Sequence, residues 1–307
     1  MKILPAVLAA TTLLAGAAHA EGITQFNIGL LGGENAQDRL NSNECLRKYT
    51  EEALGVPVKL FAPADYDGVI QGLLGGTIDM AILGASGYAK IYLADPKAVT
   101  PVLVQANSDG SFTYFSIAIA RKDSGITKLE DAKGKVFGFG DPNSTSGYLI
   151  PSVEIPKTHP EIKREDLADG ATGYFKTVKF TGGHEQTIVA VKNGDVDAGV
   201  TWADGQGNWE DGYNSGALRK AVDAGLVNMN DLVEIWRSAP IPEGPVVLRN
   251  ALPEEVKTKM TALMADLNAK DHDCAYGVAG GETSGFKPVT HANYEGIIET
   301  RRATQGN

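Results

Sequence analysis

The chain has 307 residues, of which 43% are hydrophobic and 21% charged, and its formal net charge is −10. That acidic balance argues against nucleic acid or an anionic membrane surface as a partner. An acidic surface still permits an anionic ligand, because a pocket can be made locally electropositive by N–H groups. The length allows two lobes, each with its own core.

The first twenty residues read as a cleavable secretory signal. Lys2 supplies the positive start, Ile3 to Leu14 an apolar core too short to span a bilayer, and Ala18-His19-Ala20 an A-x-A cleavage site. Maturation at Glu21 then predicts a soluble, exported protein. Cys45 and Cys274 remain in that chain. In an oxidising compartment such a pair permits one disulfide, with two buried free thiols as the alternative.

Gln25 to Leu31 alternates and stops at Gly32-Gly33, a first strand and turn. A helix is expected from Ala36 to Leu54, with Leu46, Tyr49 and Ala53 on one stripe, Gly55 at its C-terminus and Pro57 beyond. Val58 to Phe61 is a short strand. The loop from Ala62 to Asp65 opens a helix with Tyr66 in its first turn and Val69, Ile70, Leu73 and Leu74 on its apolar face. Gly75-Gly76 ends that helix, and Ile78 to Leu83 is a strand. The same plan recurs from Val178: strand, Thr181-Gly182-Gly183 loop, a helix opened by His184, a stop at Asn193-Gly194, and a strand from Val196 to Thr201. Tyr66 aligns with His184, Gly76 with Gly194 and Asp79 with Asp197, an offset of about 118 residues. Two β-α-β units of one plan predict two α/β lobes built alike.

Between the units, Phe112 to Arg121 is a long β-like run. Later, Glu234 to Arg237 and Pro245 to Arg249 flank the rigid Ala239 to Gly244 segment. Leaving one lobe through the first run and returning through the second gives a hinge of two crossings. The expected organisation is a signal over 1–20, lobe one over 21–115 and 237–307, and lobe two over 116–236. The tail is helical in two pieces, one beginning at Pro253 with Val256, Met260, Leu263 and Leu267 inward, the other carrying Tyr294, Ile297 and Ile298.

The stretch Asp141-Pro142-Asn143-Ser144-Thr145-Ser146-Gly147-Tyr148 follows an apolar, glycine-punctuated strand, Val136 to Gly140. Three hydroxyl residues at the head of an apolar run read as a helix start. A helix start exposes unpaired N–H groups at the positive end of the helix dipole. Together these form a donor cluster for an oxyanion; the plain alternative is a serine cap. If both lobes are parallel α/β sheets, ligands lie where strands end and helices begin. That rule gathers Tyr66, Ser144, Thr145, Ser146 and His184 around one cleft. Asp204, also at a strand end, reads either as a turn residue before Gly205 or as a counter-charge for a cationic group on the ligand. Trp202 can wall such a site. Tyr114 on the long run reads as core.

Enzyme chemistry is poorly supplied. There is no G-x-S-x-G elbow, no H-E-x-x-H and no Cys/His cluster with zinc spacing. A Ser144–His184–Asp204 hydrolase is a remote alternative.

At these residues the chain resembles the periplasmic phosphonate-binding proteins of ABC importers, within the wider phosphate, phosphite and phosphonate solute-binding group. The resemblance is carried by Gly140 to Pro151, Ala64-Asp65-Tyr66, Gly182-Gly183-His184-Glu185 and Ile241-Pro242-Glu243-Gly244-Pro245, in family order across most of the chain. It implies a two-lobed type II binding fold of the Venus-flytrap kind. It further implies a phosphonate head held by Ser144, Thr145, Ser146 and His184 with help from Tyr66 and Tyr114, and Asp204 meeting the amine of 2-aminoethylphosphonate. Some relatives place a second amine-binding acid in the Pro-rich return segment, where this chain has Gly244 with Glu243 one residue earlier. The expected partners are a small phosphonate and the membrane subunits of an ABC permease, with a monomeric periplasmic protein, no metal and no cofactor. The nearer alternative is a binding protein for inorganic phosphite or phosphate.

Overall fold

The computed structural model describes residues 22–305. The signal sequence expected over 1–20 lies outside them. Among the described residues no helix is long and apolar enough to cross a membrane.

The first half opens as strand β1 (Phe26–Gly29), helix α1 (Ala36–Leu54), β2 (Val58–Phe61), α2 (Tyr66–Gly75), β3 (Met80–Ile82), α3 (Ala85–Ala94) and β4 (Val99–Ala106). The second half follows as β5 (Thr113–Arg121), β6 (Val136–Phe139), α4 (Ile150–Thr158), β7 (Thr177–Phe180), α5 (His184–Asn193), β8 (Ala198–Ala203), α6 (Ala217–Asp223), β9 (Leu232–Arg237) and β10 (Ile241–Pro242). The chain then returns through β11 (Pro245–Arg249), α7 (Glu254–Lys270), α8 (His272–Ala279), β12 (Gly285–Pro288) and α9 (Glu295–Gln305).

Two mixed sheets result. One has the order β12-β4-β11-β3-β1-β2, the other β10-β5-β8-β6-β7, with β9 also paired to β5. β1 runs parallel to β2 and β3, and β6 parallel to β7 and β8, whereas the returning β11 runs antiparallel between β3 and β4. The chain passes between the sheets twice, after β4 and again between β9 and β11, as the two-crossing expectation requires.

Local chemistry explains why the elements begin and end where they do. Asn35 caps α1 by accepting from the Gln37 and Asp38 amides, and Gly55 closes it at φ 68°. Asp65 caps α2 through the Gly68 amide. The two β-α-β units match in detail. Gly76 and Gly194 both end their helices in the left-handed region. Asp79 then accepts from the Asn27 amide at 2.9 Å, and Asp197 accepts from the Val136 amide at 2.8 Å. Each carboxylate thereby ties the next strand to the start of its parallel neighbour.

Each lobe has its own core. In the first, Phe26, Leu46, Leu54, Met80 and Leu248 pack with the α7 face. That face is Val256, Met260, Met264 and Leu267; Leu263, expected inward, is only partly buried at its edge. In the second, Phe137, Phe139, Phe175 and Val178 form the centre. Cys45 and Cys274 are joined in a disulfide between α1 and α8. Of the two open alternatives, the paired one is correct.

Candidate functional site

The two sheets present their strand ends to one another, and a cavity of about 190 Å³ lies between them. Tyr66, Tyr114, Ser144, Thr145, Ser146, His184 and Trp202 all line it. Six of the seven sequence-predicted site residues therefore meet in one place. The seventh, Asp204, is buried but does not line the cavity; the carboxyls that do are Glu34 and Glu243.

The hydroxyl cluster is shaped by an unusual helix start. Between β6 and α4 the residues Thr145–Leu149 form a π turn, with Ser144 at its head. A π turn is wider than an α turn and is found preferentially at functional sites. Ser144 Oγ accepts from the Gly147 amide at 2.9 Å and lies 3.1 Å from His184 Nε2. Thr145 Oγ1 accepts from the Ser86 amide of the opposite lobe at 2.9 Å, which leaves its own proton free to donate. The phenol of Tyr66 faces Ser144, and that of Tyr114 faces Ser146 and Thr145.

The same loop is gripped from across the cleft. Asp141 accepts from the Tyr66 amide at 3.2 Å. Asn143 Oδ1 accepts from Lys90 at 3.1 Å and from Arg301 at 2.9 Å. Lys220 of α6 meets Glu34, just past β1, at 3.0 Å at the edge of the cavity. These contacts describe a closed cleft.

Its lining mixes neutral donors with buried carboxyls. At the hydroxyl cluster, burial pushes the His184 pKa down to about 4, so the ring is neutral at neutral pH, and its Nδ1 is buried with no partner. Burial pushes both tyrosines upward, keeping them protonated donors. Arg39 lines the cavity, yet its guanidinium is spent on the carbonyls of Leu30, Leu31 and Pro63. Burial works to raise Glu34, but the charge and hydrogen bond of Lys220 outweigh it and hold this carboxyl low. A second carboxyl, Glu243, acts on Tyr114, one of these donors. Burial, and then the nearby Asp204 charge, push Glu243 up to about 8, and its Oε1 has no partner. Burial also raises Asp204, whose Oδ1 accepts from the Gln206 amide while Oδ2 is unpartnered.

A catalytic triad is not assembled. Ser144 and His184 are in contact, but Asp204 does not bond to His184, and no carboxylate orients the ring through Nδ1. Among the described residues no His/Cys/Asp/Glu group could hold a metal ion. Sequence reasoning missed Glu34, Gln105 and Lys220 as lining residues. Glu34 was within reach of the strand-end rule, since it directly follows the Gly32-Gly33 turn. Lys220 sits on a helix of seven residues, too short to show a periodic stripe.

A two-lobed α/β chain closing on a donor-rich cleft has the type II architecture of solute-binding proteins. Residues 28–294 match the family model for the periplasmic substrate-binding protein of phosphonate ABC transporters, and the chain belongs to that family. It is 31% identical over 255 residues to the phosphonates-binding periplasmic protein of Escherichia coli, covering 81% of this chain and 68% of that one. It is 28% identical over 288 residues to the phosphate-import protein PhnD of Mycolicibacterium smegmatis, covering 91% and 85%. Among solved structures, a binding-protein component of an ABC phosphonate transporter from Pseudomonas aeruginosa superposes with a TM-score of 0.76 at 26% identity, covering 92% of this chain and 86% of that one.

Proposed function

We propose that the protein captures organophosphonates, 2-aminoethylphosphonate in particular, by closing its lobes, and hands them to an ABC permease. The observation that carries this reading is the lining of the cavity, which combines a cluster of neutral donors with a buried, unpartnered carboxyl, Glu243. A phosphonate accepts several hydrogen bonds, and bonds to an ionised acceptor are roughly twice as strong as neutral ones. Tyr66, Tyr114, Ser144, Thr145, Ser146 and His184 supply them. The ammonium then faces Glu243, with Asp204 behind it adding to the local negative charge. Ligand contacts to both lobes favour the closed form by their differential affinity for it.

The chain acts as a binding protein, without cofactor, metal or turnover, and works as an exported monomer after loss of residues 1–20. Strand pairing favours a division in which all of β5 and β10 belong to lobe two, with hinges at 107–112 and 243–244, a few residues from the boundaries expected at 115/116 and 236/237.

Titration calorimetry with 2-aminoethylphosphonate, methylphosphonate, phosphite, phosphate and a sulfonate tests the reading. Tightest binding of the aminophosphonate supports it, and no heat with any phosphorus oxyanion refutes it. A second reading, capture of inorganic phosphate or phosphite, is favoured by the names of relatives: the mycobacterial phosphate-import protein and a probable phosphite-binding protein of Prochlorococcus marinus. It predicts tighter binding of the small anion and indifference to Glu243→Gln.

A further inference from the structure

A two-carbon aminophosphonate does not use up this cavity. About 190 Å³ of cavity volume is room for on the order of a dozen water-sized groups, and Gln105, at the end of β4, also lines it. Gln105 is 6% exposed, and its Nε2 is buried with no hydrogen-bond partner. Glu243 lines the same cavity, is 8% exposed, and its Oε1 is equally bare. A buried donor and a buried acceptor left unsatisfied in one cavity are costly unless a ligand group pairs with them.

Resting on the phosphonate reading above, we infer that the ligand carries a hydroxyl on its chain. Its oxygen accepts from Gln105 Nε2, and its proton goes to Glu243, so that the substrate class is a hydroxylated aminoalkylphosphonate and Gln105 is the residue that selects it. A hydroxyl is the group that fits, because it is neutral and both donates and accepts. A carboxylate there would face two carboxyls, Glu243 and Asp204, and is disfavoured by like charge. A methylene would leave both bare groups unpaired, and a site built to hydrogen-bond a hydroxyl rejects the analogue that lacks it. Glu243 has two oxygens, so pairing with the hydroxyl does not displace the ammonium.

The test is calorimetry on the mature protein with 2-aminoethylphosphonate, 2-amino-1-hydroxyethylphosphonate, 3-amino-2-hydroxypropylphosphonate and methylphosphonate. The wild type is expected to bind one of the hydroxylated compounds about 5- to 100-fold tighter than the parent, from two added hydrogen bonds. Gln105→Leu erases that preference, the hydroxylated compound losing more affinity than the parent; Gln105→Met repeats the result if the leucine variant folds poorly. Equal binding of parent and hydroxylated compounds by the wild type overturns the inference, as does an equal loss for both in the variants, which would make Gln105 a packing residue. No binding of any phosphonate by the wild type overturns the phosphonate reading itself, an outcome distinct from these two.

Discussion

Gly183→Ala should block closure while leaving the fold intact. Gly183 stands between β7 and α5, facing Gly33 of the opposite lobe across the cleft. A Cβ built on Gly183 falls 2.1 Å from Gly33 Cα and 2.5 Å from Gly33 O, where unbonded carbons prefer about 3.5–4.0 Å. The lobes must therefore part by roughly 1.5 Å at that point. Gly183 has φ 175°, extended backbone open to alanine, so the new methyl meets Gly33 only when the cleft shuts; within its own lobe the nearest atom it meets is Gln186 Oε1 at 2.7 Å, the end of a side chain that can turn aside. That parting exceeds the tolerance of the interlobe bonds, such as Ser86 N to Thr145 Oγ1 at 2.9 Å. In the proposed complex it also separates Tyr66 of lobe one from a phosphonate held by lobe two. Losing one hydrogen bond to a charged acceptor costs about 1.5–3 kcal/mol, so affinity for every phosphonate should fall about 10- to 100-fold. Calorimetry measures the loss. Thermal melts without ligand should match the wild type, and the ligand-induced rise in Tm should shrink. Wild-type affinity in Gly183→Ala would refute the closed-cleft reasoning outright.

The remaining expectations concern the lining of the cavity and its frame. Thr145→Ala should weaken all phosphonates, because in the proposed complex Thr145 accepts from Ser86 and donates to the phosphonate, whereas Asp204→Asn should weaken only amine-bearing ones; equal losses across both classes would contradict this division of roles. Glu243 is pushed up to about 8 in the closed cleft, and an ammonium ligand favours its ionised form. Amine affinity should therefore climb as pH rises toward about 8, by at most about tenfold per unit, and level above it. Methylphosphonate should lack that rise, and calorimetry across pH in matched buffers separates the two. Reducing the Cys45–Cys274 bridge, which closes a separation of 229 residues, should cost about 2–5 kcal/mol of stability in denaturant melts. It should also loosen the cavity wall, since α1 and α8 both line it.

Much of the scaffold is legible because its elements carry local signals. Helix α1 begins at an asparagine cap and ends at a left-handed glycine, both readable from residue type, and its bounds agree with expectation. The internal correspondence is legible for a deeper reason. Asp79 and Asp197 each make the same bond to the neighbouring strand, so the same residue is needed at the same offset. Helix α3 left no such trace. Ala85, Ser86, Gly87, Tyr88, Ala89 and Ile91 are all buried, so the helix has no polar face against which a stripe could stand out. In the site, the hydroxyl cluster and His184 were found by the strand-end rule. Glu243 was noticed only as a neighbour of the position where relatives place an acid, because nothing local shows which residue of Ile241 to Pro245 faces the cavity.

By itself the sequence determined the class of molecule: an acidic two-unit α/β chain with donors gathered at a strand end, in a family order specific enough to name. Those features are set by short-range chemistry, in caps, glycines and periodic apolar faces. Only the tertiary arrangement shows that Glu243 lines the cavity and Asp204 does not, that Cys45 finds Cys274, and that Gly33 and Gly183 pack too closely for either to carry a side chain. Each is a contact between residues far apart in the chain. Such contacts depend on how two lobes pack and close, and no local pattern encodes that geometry.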